Sequence, residues 1–325
     1  MPRVLITGIT GQDGGYLAER LLAEGDEVHG MVHSGDDAAA GFLASHPGIA
    51  LHDGDLRDSA GLSRVVEAVG PDEIYNLGGI SSVAFSWEQP VLTAELSGVA
   101  AAVVFQSALQ LQERTGRRVA VVQASSSEIF GDAAESPQDE ETPVRPVSPY
   151  GAAKAYAHQM ARVYRSRGLH VSSCIFFNHE SPRRPTTFVT RKITSAAARI
   201  GLTGTGILGL GNLDARRDWG WAPDYVDAMV RAARHDAADD FVVATGETHS
   251  VAEFAEAALR QAGVGDDWRD HIQVDPQLLR PMDAPMMVGD AAKARRELGW
   301  APTVDFGEIV GRMVDHDVAL LRAAR

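Results

Sequence analysis

Apolar and polar residues along the chain fall into two alternating patterns. Short apolar runs such as Val4-Leu5-Ile6 give way to stretches where apolar residues recur at helical spacing, as Leu17, Leu21 and Leu22 do after Tyr16. The runs predict strands over residues 4–6, 27–32, 49–52, 73–77, 118–124 and 171–176. The helical spacing predicts helices over 16–24, 59–69, 91–114 and beyond Tyr150. Strands that alternate with helices imply βαβ units around a parallel sheet. The later half is different. Residues 179–220 show few long patterns and many Arg, Pro and Gly; a helix over 224–237 and a strand over 241–245 follow. A helix over 250–264 should start at a Ser250 cap with Glu253 at the capping-box position, and another covers 306–322. Segments 36–40 and 133–147, rich in Ala, Asp, Glu or Pro, read as loops.

The expected fold class is therefore α/β: a Rossmann-like doubly wound parallel sheet with a smaller, interleaved C-terminal substrate-binding α/β region. The expected division is 1–178 plus about 222–248 for a dinucleotide-binding domain, and 179–221 plus about 249–325 for a nucleotide-sugar-binding domain. A length of 325 residues is ample for that arrangement.

Charge narrows the partners. Acidic residues outnumber basic ones 44 to 30, a net charge of −14, which disfavours nucleic acid and anionic membranes. The single cysteine, Cys174, excludes an intrachain disulfide and a cysteine-based zinc site, and no metal site is expected. The N-terminus lacks a signal-like apolar stretch, and no uninterrupted apolar window approaches 18 residues, so a soluble cytoplasmic protein is expected.

Gly8, Gly11 and Gly14 lie between the first strand and the first helix, spaced Gly-x-x-Gly-x-x-Gly. Small residues there let a pyrophosphate reach a helix N-terminus. No Gly-Lys-Ser/Thr follows, so this is not a Walker loop. The end of the second strand, where a dinucleotide site reads the ribose 2′ position, is Met31-Val32-His33-Ser34-Gly35-Asp36 and signals neither choice clearly. Asp55 and Leu56 are placed to flank an adenine. Tyr150 and Lys154, four residues apart, share a helix face. An ammonium near a phenol favours the phenolate, which can take a proton from an alcohol. Ser125-Ser126-Ser127-Glu128 follows the fifth strand at the end where ligands bind in such sheets.

Together these motifs resemble the extended short-chain dehydrogenase/reductase superfamily. Within it, the chain is similar to the GDP-mannose 4,6-dehydratase family over nearly its whole length. The resemblance is carried by Gly8-Ile-Thr-Gly-Gln-Asp-Gly14, Glu73-Ile-Tyr-Asn-Leu-Gly78, Ser148-Pro-Tyr-Gly-Ala-Ala-Lys154, Phe177-Asn-His-Glu-Ser-Pro-Arg-Arg184, Phe188-Val-Thr-Arg-Lys-Ile193 and Leu210-Gly-Asn-Leu-Asp-Ala-Arg-Arg-Asp-Trp-Gly220. The resemblance implies conversion of GDP-D-mannose to GDP-4-keto-6-deoxy-D-mannose by an internal redox cycle. Tyr150 would take the O4 proton as hydride leaves C4. Lys154 would hold the ribose and keep Tyr150 acidic. Ser126, where the family has a threonine, would hydrogen-bond O4. Glu128 would remove the C5 proton and protonate the leaving C6 hydroxyl, before hydride returns to C6. The cofactor side would comprise Gly8, Thr10, Gly11, Gln12, Asp13, Gly14, His33, Asp55, Leu56, Leu77, Gly78, Ser81, Tyr150, Lys154, His179 and Arg184. The sugar-nucleotide side would comprise Ser81, Ser126, Asn178, Val189, Lys192, Arg217, Arg280 and Asp283. The implied cofactor is NADP. NAD stays open, because the family's Arg-Arg-Ser run after the second strand is His33-Ser34-Gly35 here. The same departure leaves a tetramer open, whereas a homodimer through the helices over 91–114 and 150–167 is implied. The loop Gly78-Gly-Ile-Ser-Ser-Val83 departs from the family's Gly-Ala-Gln-Ser-His-Val, and Leu92 and Trp221 replace a tyrosine and a histidine. A 4,6-dehydratase for another GDP-sugar, or a GDP-sugar 4-reductase or epimerase, are the alternatives; a non-catalytic sensor is disfavoured by the intact Ser126, Glu128, Tyr150 and Lys154.

Overall fold

The computed structural model describes residues 1–279 and 282–324. Its centre is a seven-stranded parallel sheet. The strands are β1 (Arg3–Thr7), β2 (Glu27–Val32), β3 (Ala50–Asp53), β4 (Glu73–Asn76), β5 (Ala120–Ser126), β6 (His170–Phe176) and a last strand, Asp240–Val243. Their order is Asp240–Val243, β6, β5, β4, β1, β2, β3. Chain order reverses between β1 and β4, which opens a crevice at their C-terminal ends.

The central strands are buried on both faces because both faces of the sheet are covered. Side chains alternate across the sheet: Val4 and Ile6 join a core with Leu17 and Leu21 of α1 (Gln12–Glu24) and with helix Ala222–Arg234. Leu5 and Ile74 join the opposite core with Leu62 and Val66 of α3 (Ser59–Val69), and with Val104 and Phe105 of Ala100–Thr115.

Three expectations need correcting. First, residues 179–220 contain a helix, Val189–Thr203, buried through Ile193, Ala196, Ala197 and Ile200 against helices Val251–Gln261 and Phe306–Ala323. Its buried face is largely alanine, threonine and one arginine, Arg191, ion-paired with Asp317, so its hydrophobic period is faint. Second, the predicted loop at 36–40 begins α2 (Asp37–Ser45), capped by the Asp36 side chain on Ala38 N at 2.9 Å. No residue of α2 is buried, so tertiary packing left no pattern to read. Third, the helix predicted over 91–114 is a run of Pro90–Ala94, a π turn at Glu95–Val99 and Ala100–Thr115. By length and composition this run could cross a membrane, but half of its apolar window is buried in the fold. The Ser250–Glu253 capping box forms as expected, with both hydrogen bonds present.

Candidate active site

The glycine turn sits at the mouth of the crevice. Gly8 has φ +71°, and a Cβ on it would lie 2.9 Å from Gly78 Cα, where the ends of β1 and β4 meet. A Cβ on Gly14 would lie 2.3 Å from Gly8 O, so the turn can fold onto α1 only with glycine there. Gly11 is the exposed N-cap of α1 and offers no side-chain cap to the helix amides. A bare helix N-terminus behind a glycine-rich turn fits a dinucleotide pyrophosphate.

A line of hydrogen bonds runs from this turn to Lys154. Thr7 Oγ1 accepts from Leu77 N (3.1 Å) and Gly78 N (2.9 Å) and donates to Asn76 Oδ1 (2.8 Å). Asn76 Nδ2 donates to Gln123 Oε1 (2.7 Å), and Gln123 Nε2 donates to Ala124 O (2.9 Å). The same carbonyl accepts from Lys154 Nζ at 2.9 Å. The line crosses β1, β4 and β5, so the sheet itself sets the height of Lys154 beneath the crevice.

Helix Pro149–Ser166 carries Tyr150 and Lys154. Ser148 caps it by accepting from Gly151 N (3.0 Å), and Pro149 takes the first helical position. A Cβ on Gly151 would lie 2.5 Å from Glu128 O, so the helix start packs directly on the turn bearing Glu128. Ser126 ends β5, and its hydroxyl accepts from Glu128 N (3.3 Å). Tyr150 and Lys154 are buried, and Lys154 Nζ lies 5.8 Å from the Tyr150 ring centre. Burial pushes the Tyr150 phenol up to about 12; a hydrogen bond with Ser126 opposes this and the Glu128 charge adds to it. Burial also pulls the Lys154 ammonium down to about 8. The ammonium is turned to Ala124 O, and desolvation is the largest influence on both groups.

Opposite them, Asp13 Oδ2 meets His179 Nε2 at 2.9 Å, and Gln12 Nε2 bridges Asp13 Oδ1 (3.0 Å) and His179 O (3.2 Å). Burial would raise the Asp13 carboxyl, but His179, Gln12 and Arg184 together bring it below its usual value. Burial would lower the His179 imidazole, but Asp13 raises it. The His179 ring also stacks on Tyr225, with centres 4.5 Å apart. Arg184 lies over the Phe188 ring (3.9 Å) and 3.5 Å from Glu180 Oε2. Arg184 and Asp13 are both close enough to act on the Tyr150 phenol.

On the far side, Arg217 is buried and donates to Asp283 Oδ1 (2.5 Å) and Ala284 O (2.9 Å). Asn178 opens a short strand paired with Trp219–Trp221, and Val189 and Lys192 lie half-buried in the first turn of Val189–Thr203. Arg280 lies outside the described residues. Thr10 donates to Asp36, His33 Nε2 lies 3.6 Å from Asp55, and Leu56 would meet a Cβ on Gly78 at 3.1 Å. Ser81 is exposed on the loop after β4.

A family model described as GDP-mannose 4,6 dehydratase matches residues 5–313. The chain belongs to the GDP-mannose 4,6-dehydratase family. It is 42% identical over 328 residues to GDP-mannose 4,6 dehydratase 1 of Arabidopsis thaliana, covering 98% of this chain and 90% of that one. It is 43% identical over 345 residues to the Homo sapiens GDP-mannose 4,6 dehydratase, covering 98% and 92%. Among solved structures, the UDP-glucose 4-epimerase of Thermus thermophilus in complex with NAD aligns with a TM-score of 0.84 and 28% identity, covering 97% of this chain and 98% of that one. For a GDP-mannose 4,6-dehydratase family member, two features of this site are not evident from motifs. Ser97, in the π turn, accepts from Ile80 N (2.9 Å) and donates to Ile80 O (3.0 Å), anchoring the loop that carries Ser81. A Cβ on Gly79 would lie 2.8 Å from Ser97 Oγ, so the contact needs glycine. The Thr7–Asn76–Gln123 line had a faint signal: each is a polar residue directly after an apolar stretch of its strand, Val4–Ile6, Ile74–Tyr75 and Ala120–Val122.

Proposed function

We propose that the protein is a GDP-mannose 4,6-dehydratase, a hydro-lyase that forms GDP-4-keto-6-deoxy-D-mannose. The observation that carries this is the convergence of Ser126, Glu128, Tyr150 and Lys154 on one crevice of a chain in this family. When bound, a nicotinamide dinucleotide supplies the hydride acceptor for sugar C4 and the donor for C6. Gly8, Gly11 and Gly14 with the α1 amides hold its pyrophosphate, and the Asp13–His179 pair stands beside Tyr150 and Lys154.

Tyr150, hydrogen-bonded to Ser126, removes the O4 proton, and the buried Lys154 ammonium offsets the charge that develops on the phenolic oxygen. Oxidation at C4 acidifies the C5 proton. Glu128, packed against the first turn of the Tyr150 helix, takes that proton and delivers it to the departing C6 hydroxyl. Protons balance over the cycle: the one Glu128 takes from C5 departs in water, and the one Tyr150 takes from O4 is returned to C5. Arg217 and Asp283, with Arg280, Asn178, Val189 and Lys192, form the GDP side, with guanidinium groups suited to a diphosphate. The two-part division of the chain follows this split. The family resemblance points to NADP, with NAD as the alternative that His33-Ser34-Gly35 leaves open.

The protein acts as a cytoplasmic homodimer in this reading. Val91 and Val99 on Pro90–Thr115, and Tyr156 and Val163 on Pro149–Ser166, leave 70%, 49%, 46% and 51% of their surfaces exposed. Four large apolar side chains on two neighbouring helices suit a four-helix interface between copies.

Incubation with a panel of GDP- and other nucleotide-sugars, without added reductant, tests the function. A 4-keto-6-deoxy product from GDP-mannose is expected. A product that keeps its C6 hydroxyl, formed with stoichiometric cofactor oxidation, contradicts it and identifies a 4-reductase.

A further inference from the structure

The turn after β2 decides which dinucleotide the crevice accepts. Asp36 N donates to His33 O at 2.9 Å, closing a tight turn through Gly35 at φ +84°. That turn folds Asp36 back toward the glycine turn, where its Oδ2 accepts from Thr10 Oγ1 at 2.9 Å. Its Oδ1 accepts from Ala38 N at 2.9 Å and fixes the start of α2. Donors from two separate elements thus pin one carboxylate between the end of β2 and the phosphate-binding turn. A dinucleotide site reads the 2′ position of the adenosine ribose in this gap.

We propose that Asp36 selects NAD(H) over NADP(H), by accepting hydrogen bonds from the adenosine ribose diol and repelling a 2′-phosphate. The proposal rests on the dinucleotide reading of the glycine turn and departs from the cofactor that family resemblance implies.

Surrounding charge supports the same choice. A 2′-phosphate needs a guanidinium or ammonium whose charge is available. Arg57 meets Asp55 at 2.7 Å and Arg64 meets Asp58 at 3.4 Å. His33, which stands where the family carries arginine, has its Nε2 3.6 Å from Asp55. Arg57, after β3, and Arg64, within α3, therefore each face a carboxylate. The adjoining cavity, about 670 Å³, is lined by Asp53, Asp55 and Asp58 against the single cation Arg64, with His33 and His52. A phosphate dianion entering there meets excess negative charge from both sides of the ribose. A diol meets acceptors.

The test is calorimetric titration of cofactor-free protein with NAD+ and with NADP+, in the absence of sugar, for the parent chain and for Asp36→Asn. Asparagine Oδ1 can still accept from Ala38 N, its Nδ2 can donate to the Thr10 hydroxyl in place of the bond now accepted from it, the charge is removed, and α2 buries no residue, so the fold should survive. NAD+ is expected to bind the parent at least about tenfold more tightly than NADP+. In Asp36→Asn that preference should shrink by about threefold or more, chiefly because NADP+ gains affinity. Equal or tighter NADP+ binding by the parent, or an unchanged ratio in Asp36→Asn, overturns the proposal. Binding of neither dinucleotide overturns the cofactor reading and the proposal with it. Because no sugar is present, the result is independent of whether GDP-mannose is the substrate.

Discussion

Lys154 illustrates the tension between stability and function at single residues. Its ammonium is buried with a carbonyl as its hydrogen-bond acceptor, and desolvation brings its pKa from 10.5 to about 8. The unfolded chain binds this proton more tightly, so near neutral pH the group opposes folding by on the order of 3 kcal/mol. Between about pH 8 and 10.5 the folded state has lost the proton and the unfolded state has not, so this group's contribution to stability rises with pH across that window. Lys154→Met in cofactor-free protein is expected to raise the melting temperature at pH 7, and its advantage should fade toward pH 10.5; urea unfolding at a series of pH values checks both. The same variant should lose dehydratase activity. Tyr150→Phe is expected to lower kcat by about 10²–10⁴-fold with little change in GDP-sugar affinity, measured by steady-state kinetics and calorimetry. Glu128→Gln should still remove deuterium from C4 of the sugar but stop before water leaves C6, giving no 6-deoxy product by NMR.

At the scale of elements, what was legible in sequence depended on whether an element's neighbours impose a period. The strands 4–6, 27–32 and 171–176 and the helix 59–69 were visible because sheet and core repeat every two or about 3.6 residues. The Tyr150–Lys154 pair, the Ser126–Glu128 turn and the glycine turn were visible because chemistry and backbone approach restrict residue type. Helix Val189–Thr203 was hidden by its alanine-rich buried face, and α2 because it buries nothing. The Ser97 anchor was hidden because a π turn shifts the helical phase, and no periodic template includes it. The glycine turn makes a firm element-scale prediction. Gly14→Ala puts a Cβ against backbone at 2.3 Å, so α1 must move off β1. It is expected to destabilise the protein by more than about 2 kcal/mol and to abolish dinucleotide binding, read by thermal unfolding and titration.

Across the whole molecule, a net charge of −14 coexists with a buried arginine, Arg217, on the proposed diphosphate side. The acidic surface disfavours polyanions, while a local cation can still meet a small diphosphate. Exposed apolar positions lie on Pro90–Thr115 and Pro149–Ser166, and the helix that holds Tyr150 inward presents Tyr156 and Val163 outward. For the proposed dimer, Val163→Asp combined with Val99→Asp is expected to give a monomer in light scattering, because two carboxylates per copy would be buried unpaired.

The internal hydride cycle is tested most directly with GDP-mannose carrying deuterium at C4. The expected product is a GDP-4-keto-6-deoxy sugar with one deuterium in its C6 methyl group, formed with no net consumption of dinucleotide. Loss of the label to solvent, or a product that retains the C6 hydroxyl, would contradict it.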